Sequence, residues 1–180
     1  MARVSDRAHG NRGARPGDDP LAHLGSDLRL VPFSQAHSWQ ELDLVTYPRV
    51  QVYADDPVDL DVAAGADNLC QALILRLLTP QGSLRDLGHA AYGSRLHELV
   101  GERNTAQNRL LARSFVLQAV AQEKRVTEVL ALGIDDPTPD APDTMRIHLQ
   151  VQAAGAGDPV SLGLELGLDP GPASGQEASS

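Results

Sequence analysis

Residues 67–84 read DNLCQALILRLLTPQGSL, and this stretch decides how the middle of the chain folds. Asp67 is a residue type whose side chain can cap the free amides of a first helical turn. Pro80 cannot continue a helical hydrogen-bond ladder. The pattern therefore predicts a helix from Asp67 that ends at Thr79-Pro80 and turns through Gly82, with one apolar stripe at helical spacing. The stripe contains Leu69, Cys70, Leu73, Ile74 and Leu77.

Two further helices are predicted after this stretch. A short one covers about residues 93–100, where Ser94 is expected to act as a cap. The longest begins at an Asn104 or Thr105 cap and runs to about residue 122, with Arg109, Arg113 and Gln118 largely outward. Its inward residues are predicted to be Leu111, Ala112, Phe115, Val116, Ala119 and Val120.

The hydrophobic period then changes from 3.6 to 2, which is typical of strands. Three segments show the alternation, and they are linked by DDPTPDAPD and AGAGD. We predict an antiparallel meander, and hence an α+β fold in which two to three helices pack on a C-terminal sheet. The apolar positions are Val126, Leu130, Leu132 and Ile134, then Met145, Ile147, Leu149 and Val151, then Val160, Leu162, Leu164 and Leu166.

Composition divides the chain into four parts. Residues 1–26 and 169–180 contain few apolar side chains, so we expect flexible tails there. Residues 27–66 alternate short apolar runs with Pro and Asp, which predicts an extended arm with short strands. Residues 67–168 form the main domain.

Charge and composition exclude several classes of protein. The formal net charge of −9 argues against nucleic-acid binding, and an aromatic content of 3% provides few stacking surfaces. No apolar run approaches the roughly 20 residues of a membrane helix. The basic N-terminal residues are not followed by an apolar signal core, so we expect no export through a standard signal and a cytoplasmic place of assembly. Cys70, the single cysteine, is predicted to be an apolar core residue.

Motifs for catalysis or metal binding are not complete. His97-Glu98 begins like a zinc-protease helix, but Gly101 stands where the second histidine is needed. Two acidic clusters, at residues 55–61 and 135–143, lack calcium-loop spacing and contain proline. Glu98 and Glu102 could be nominated as a hydrolytic pair, although such pairs are common on solvated helix faces. We therefore predict no catalytic, cofactor-binding or metal-binding residues.

The order of elements and three short motifs resemble a known family. The motifs are Gly-x-Asp-Asn-Leu at 65–69, Leu-Leu-Thr-Pro-x-Gly at 77–82 and Tyr-Gly-Ser at 92–94. Over roughly residues 59–166 the chain resembles phage baseplate assembly protein W, the baseplate wedge or sheath-initiator family of contractile tails and contractile injection systems. The resemblance implies a structural protein of the baseplate, present in about six copies per particle, whose partners are the sheath protein, other wedge subunits and, beyond them, tube or spike-hub proteins.

The resemblance also implies partner-binding residues. The family commonly has Glu-Pro-Arg-Val between its long helix and first strand, and residues 123–126 read EKRV here. Glu123 and Arg125 match, whereas Lys124 replaces the proline. We expect this pair either to contact wedge subunits or to act locally at the helix end. The last strand, whose apolar residues are Val160, Leu162, Leu164 and Leu166, is expected to pair with a sheath strand, or else to be an ordinary amphipathic edge strand.

Two alternatives remain at this stage. One is a small baseplate-associated peptidoglycan hydrolase, which would need converging carboxylates in a cleft. The other is a generic α+β adaptor protein without a link to contractile machines. Neighbouring sheath, tube and spike genes would favour the baseplate function over both.

Overall fold

The computed structural model describes residues 21–30, 44, 46–48 and 58–168. Within these ranges the fold is α+β, as the sequence predicts. Short 3-10 turns at Ala22–Leu24, Arg85–Leu87 and Leu96–Leu99 join the regular elements. The elements are β1 (Ser26–Leu28), β2 (Thr46–Pro48), β3 (Val58–Leu60), β4 (Val62–Ala64), α1 (Gly65–Leu78), α2 (Ala106–Val120), β5 (Val126–Ile134), β6 (Thr144–Ala153) and β7 (Val160–Gly167).

Helix α1 follows the predicted pattern but begins earlier than predicted. Gly65 is its first residue and Ala64 its cap, so Asp67 lies in the first turn, where a carboxylate interacts favourably with the helix dipole. Asp67 does not cap through its side chain; it pairs with Arg29 at 3.4 Å. The helix ends before Thr79, as predicted. The stripe residues Leu69, Leu73, Ile74 and Leu77 are buried, and Cys70 is half-buried against them.

Helix α2 begins where the sequence predicts. The Thr105 hydroxyl accepts a hydrogen bond of 3.2 Å from the amide of Asn108, which satisfies one of the free donors of the first turn. One inward assignment is wrong: Leu111 is 41% exposed. The predicted short helix at 93–100 is a 3-10 turn at Leu96–Leu99, which begins after Ser94.

The meander is confirmed, with strand order β5-β6-β7 and antiparallel pairing throughout. Register shifts in β5 leave Thr127 and Leu130 as extra residues relative to β6. Each β-bulge moves the following side chains to the other face. Leu130, expected to be apolar and inward, is therefore 43% exposed, and Val129 packs against the core in its place.

The two helices cover one face of the sheet, and the core lies between these layers. Strand β6 alternates strictly, with its odd-numbered residues buried and its even-numbered residues on the outer face. The largest fully buried side chains of the described residues are Leu24, Leu69, Leu73, Leu77, Leu96, Met145, Ile147, Leu149, Leu168, Val116, Val120 and Val151.

The N-terminal arm forms short strands, as expected. Strand β1 pairs with β4, and β2 pairs with β3, both antiparallel. Residues 21–26 are not a tail in this structure, since Leu24 is fully buried among core residues. The other predicted tail residues, 1–20 and 169–180, lie outside the described residues.

Candidate functional site

The main-chain carbonyl of Leu24 is a meeting point for two of the sequence motifs. It accepts a hydrogen bond of 3.0 Å from Asn68 Nδ2 and one of 2.9 Å from Arg125 Nη1. Beside it, the amide of Gly65 donates to the carbonyl of Gly25 at 3.1 Å. Gly65 has a φ of +58°, a conformation that favours glycine. The helix-start motif therefore holds the first described segment against the domain.

Glu123 and Arg125 form an ion pair within the chain. Arg125 donates from Nε and Nη2 to the two carboxylate oxygens, at 2.8 and 3.1 Å. Glu123 is only 8% exposed, and Arg76 Nη2 lies 3.5 Å from its second oxygen. The Arg125 hydrogen bonds lower the pKa of Glu123 below its ordinary value, against the opposing effect of burial. The carboxylate is thus held in its charged form between two guanidinium groups.

Arg76 extends this cluster to the loop after α1. Its guanidinium carbon lies 4.4 Å from the ring centroid of Tyr92, a cation–π arrangement. Arg76 Nε is buried and has no hydrogen-bond partner among the described residues. The cluster therefore joins α1, the Tyr-Gly-Ser motif, the end of α2 and the start of β5.

The helix-stop and Tyr-Gly-Ser motifs interlock. The amide of Ser94 donates to the carbonyl of Thr79, and the amide of Gln81 donates to the carbonyl of Ser94, both at 2.8 Å. Ser94 Oγ donates to the carbonyl of Leu77 at 2.5 Å, which satisfies a free carbonyl at the end of α1. A Cβ on Gly93 would lie 2.5 Å from the Thr79 carbonyl oxygen, so no other residue fits there without movement. The Thr-Pro-x-Gly turn ends a core helix and is locked by a second loop.

Strand β7 lies at an edge of the sheet. Along an antiparallel strand, successive residues point their main-chain groups alternately toward and away from the neighbouring strand. Leu168 N–H donates to the Asp143 carbonyl, which sets the even-numbered residues of β7 toward β6. The groups that point away belong to Ser161, Gly163, Glu165 and Gly167, and within the described residues they have no main-chain partner.

The apolar residues predicted to bind a partner point into this chain's own core. Val160, Leu162 and Leu164 are each 7% exposed, and Leu166 is half-buried beside them. Their alternation fixes which face of β7 is inward, so a partner strand would meet the main chain of β7 at its edge. The structure brings Glu123 and Arg125 into one cluster, but it does not bring them together with β7 residues.

Glu98, one of the two carboxylates considered for hydrolysis, is paired within the chain. Arg95 donates to both oxygens of Glu98 at 2.7 Å, and this hydrogen bonding lowers the pKa of Glu98. A general acid near neutral pH requires the opposite shift. No group of three or more metal-ligating side chains exists among the described residues. Across those residues, no helix has both the length and the apolar character of a membrane span.

Comparisons with known proteins give a narrow result. No family model matches the chain, and no curated protein matches it. The chain is similar to a crystal structure from Geobacter sulfurreducens that is provisionally described as a tail lysozyme. The sequences are 18% identical, and the alignment covers 56% of this chain and 88% of the other with a TM-score of 0.47. A likeness of this degree carries no information on activity or partners.

Sequence reasoning missed Asn68 and Arg76 as members of the cluster. Asn68 is only 6% exposed, and it lies next to the apolar stripe of α1. A polar side chain at a buried helical position needs a partner, and this requirement was the available signal. The partner, the carbonyl of Leu24, lies 44 residues away along the chain and could not be identified from spacing.

Proposed function

We propose that this chain is a structural component of the baseplate of a contractile phage tail or phage tail-like injection system. We propose further that it initiates sheath assembly by accepting a sheath strand at the open edge of β7. The observation that carries the proposal is the row of outward-pointing main-chain groups on β7, in a chain whose motifs resemble the sheath-initiator family.

Strand addition fits the chemistry of this edge. A partner strand gains main-chain hydrogen bonds along β7, and alternate side chains set its register. Gly163 and Gly167 leave the outer face of β7 without side chains at two positions, so the side chains of a partner strand have room beside them. A Cβ on Gly167 would meet nothing within 4 Å. Many proteins protect exposed edges with proline, inward-pointing charges or bulges. Strand β7 is regularly paired with β6 over its whole length and has none of these features.

Glu123 and Arg125 have a different part in the proposal. Glu123 is engaged by two arginines inside the chain and leaves little surface for a wedge subunit. Arg125 is about one-quarter exposed and is the member that a partner could reach. We propose that the pair shapes a wedge-docking surface by fixing the start of β5. Within the chain, Arg125 also donates a hydrogen bond to the Leu24 carbonyl.

Single-residue variants at Gly163 test the strand-addition proposal. Deleting β7 would remove three buried core residues, so its effect could not be separated from unfolding. Gly163→Pro removes an outward amide while leaving the ladder to β6 intact, because proline is tolerated on the open side of an edge strand. Gly163→Ala keeps the amide, and its Cβ would make an ordinary 3.9 Å contact with His148.

The assay is binding of each variant to the sheath subunit encoded in the same genome, followed by electron microscopy of co-expressed particles. We expect the alanine variant to bind and to start sheaths, and the proline variant to retain its circular dichroism spectrum but lose both activities. A folded proline variant that starts sheaths normally would contradict strand addition at β7. Failure of the wild-type protein to bind the sheath subunit would contradict sheath initiation by this chain.

The baseplate proposal also states that the chain has no hydrolytic activity. The ion pair with Arg95 stabilises the carboxylate form of Glu98, which suits a structural surface residue. We expect the purified protein to release no soluble fragments from peptidoglycan. Release that disappears in Glu98→Gln or Glu102→Gln would support a hydrolase instead.

A further inference from the structure

Helix α2 carries an apolar strip on a face that the sheet does not cover. Ala106, Leu110, Arg113 and Leu117 follow at i, i+4, i+7 and i+11, so they lie along one side of the helix. Leu110 is 69% exposed and Leu117 is 38% exposed. This α2 strip is separate from the buried face of the helix, which contains Ala112, Phe115, Val116, Ala119 and Val120.

A groove runs between the α2 strip and the end of β5. It has a volume of about 330 Å³, and its lining is mostly apolar. The groove is lined by Ala106, Arg109, Leu110, Arg113 and Ile134.

The charge of the groove is opposite to that of the chain. The net charge of the protein is −9, yet both charged residues that line the groove are arginines. Arg109 is paired with Asp136 at 2.6 Å. Arg113 forms no ion pair within the described part of the chain. A carboxylate on a partner would therefore find a cation beside an apolar floor.

The arginine also limits the kind of partner that fits. Arg113 Nη1 donates to the Leu132 carbonyl at 2.6 Å. The Asp135 amide donates to the Arg146 carbonyl on β6, so by strand alternation the Leu132 carbonyl points to the open side of β5. A strand pairing with β5 would have to displace Arg113. A helix can instead place side chains into the groove without using this edge.

We infer that the groove between α2 and β5 binds an acidic amphipathic helix of a partner protein. The apolar residues of the partner helix cover Leu110 and Leu117, and a carboxylate on the flank of that helix pairs with Arg113. The site lies away from the edge of β7 and does not depend on strand addition there. It gives the protein a second docking surface with a different chemistry.

Synthetic helical peptides provide the probe. One peptide has leucines at i, i+3, i+4 and i+7 with glutamates beside them, and its counterpart has lysines at the glutamate positions. We expect the glutamate peptide to bind the full-length protein at least about tenfold more tightly than the lysine peptide, as a fluorescence anisotropy titration at low salt would measure, because like charges oppose each other across an interface. Equal affinities, or no binding by the glutamate peptide, would overturn the inference.

Protein variants locate the binding. Leu110→Gln should weaken the glutamate peptide at least about fivefold, since central apolar anchors carry most of the affinity of such interfaces. The matched control is Leu87→Gln, because Leu87 is 72% exposed and lies in the loop after α1. Arg113→Gln should abolish the preference for glutamate, and Arg113→Lys should restore it. Equal losses in the Leu110 and Leu87 variants would contradict this location.

A second copy of the chain is the competing occupant. Sedimentation velocity of the wild-type protein and the Leu110→Gln variant distinguishes the two. We expect both to sediment as the same species. Self-association that Leu110→Gln removes would overturn the partner-helix inference and assign the groove to a homodimer.

Discussion

Arg125 donates a 2.9 Å hydrogen bond from Nη1 to the main-chain carbonyl of Leu24, 101 residues earlier in the chain. The same guanidinium binds the Glu123 carboxylate through its two other nitrogens. One side chain therefore joins the first described segment to the junction between α2 and β5. Because Leu24 is fully buried, this contact also holds the first described segment against the core.

Replacing Arg125 tests how much this contact stabilises the fold. Arg125→Ala removes hydrogen bonds to a buried carbonyl and to a carboxylate that is itself almost buried. We expect the free energy of unfolding to fall by about 1.5–3 kcal/mol, the range for hydrogen bonds that involve charged groups. Urea denaturation at pH 7 measures the change.

Arg146→Ala is the matched control for Arg125→Ala. Arg146 binds Glu165 across β6 and β7 at the same 2.8 Å, but both side chains are on the exposed outer face. Exposed ion pairs contribute little to stability, so we expect no measurable loss. Similar losses in both variants would show that burial of the Leu24 contact does not matter.

The pH dependence of stability tests the charge state of Glu123. Hydrogen bonds from Arg125 lower the pKa of Glu123 in the folded protein below the ordinary value of 4.5. The folded state therefore binds this proton less readily than the unfolded state. The stabilisation is fully present above pH 4.5 and is lost as the pH falls through the lower, folded pKa.

Comparison with Glu123→Gln isolates this contribution. We expect the free energy of unfolding of the wild-type protein to decline more steeply below pH 4.5 than that of the variant. Urea titrations at intervals between pH 7 and pH 3 provide the curves. Parallel curves would mean that Glu123 is not held in its charged form by the fold.

Local patterns were sufficient to predict α1, α2 and the meander. The Thr105 cap and the apolar stripe of α1 are set by residues within a few positions of each other, so their signals lie in short stretches of sequence. The exposure of Leu130 was not predictable in this way, because the bulges in β5 depend on pairing with β6. The prediction that Leu111 points inward was wrong, because the core covers a narrower side of α2 than the apolar residues of the helix suggest.

The candidate site was predicted less completely than the fold. Glu123 and Arg125 came from the family resemblance, and the structure adds Arg76 and the Leu24 carbonyl as their partners. These contacts join segments that are distant in sequence, which spacing alone does not reveal. The alternation of β7 correctly predicted a strand with one apolar face. It did not show that Val160, Leu162 and Leu164 on this face would be buried in the core of this chain.

Substitution of Gly93 tests the interlock of the two loops. Gly93→Ala combines a φ of +106° with a Cβ placed 2.5 Å from the Thr79 carbonyl oxygen. We expect a loss of at least about 3 kcal/mol, because the backbone strain alone costs about 1–2 kcal/mol and the close contact adds to it. Thermal and urea unfolding measure this loss.

Gly88→Ala separates backbone strain from steric contact. Gly88 has a similar φ of +84°, but a Cβ there would meet nothing within 4 Å. We expect this variant to lose only the strain contribution of about 1–2 kcal/mol. Equal losses for the two variants would show that Gly93 is needed for its conformation and not for its close approach to Thr79.

Chemical modification of Cys70 tests its environment in α1. Burial, with a smaller contribution from the Asp67 carboxylate, raises the pKa of the thiol to about 11. Only the thiolate reacts with iodoacetamide, so the native protein should be modified much more slowly at pH 8 than the same protein in urea. The rate of modification of the native protein should keep rising with pH up to about 11. Mass spectrometry of the intact protein measures this rate. A native rate that levels off near pH 9 would mean that the thiol is not held in the apolar stripe, and would contradict the packing of α1 described above.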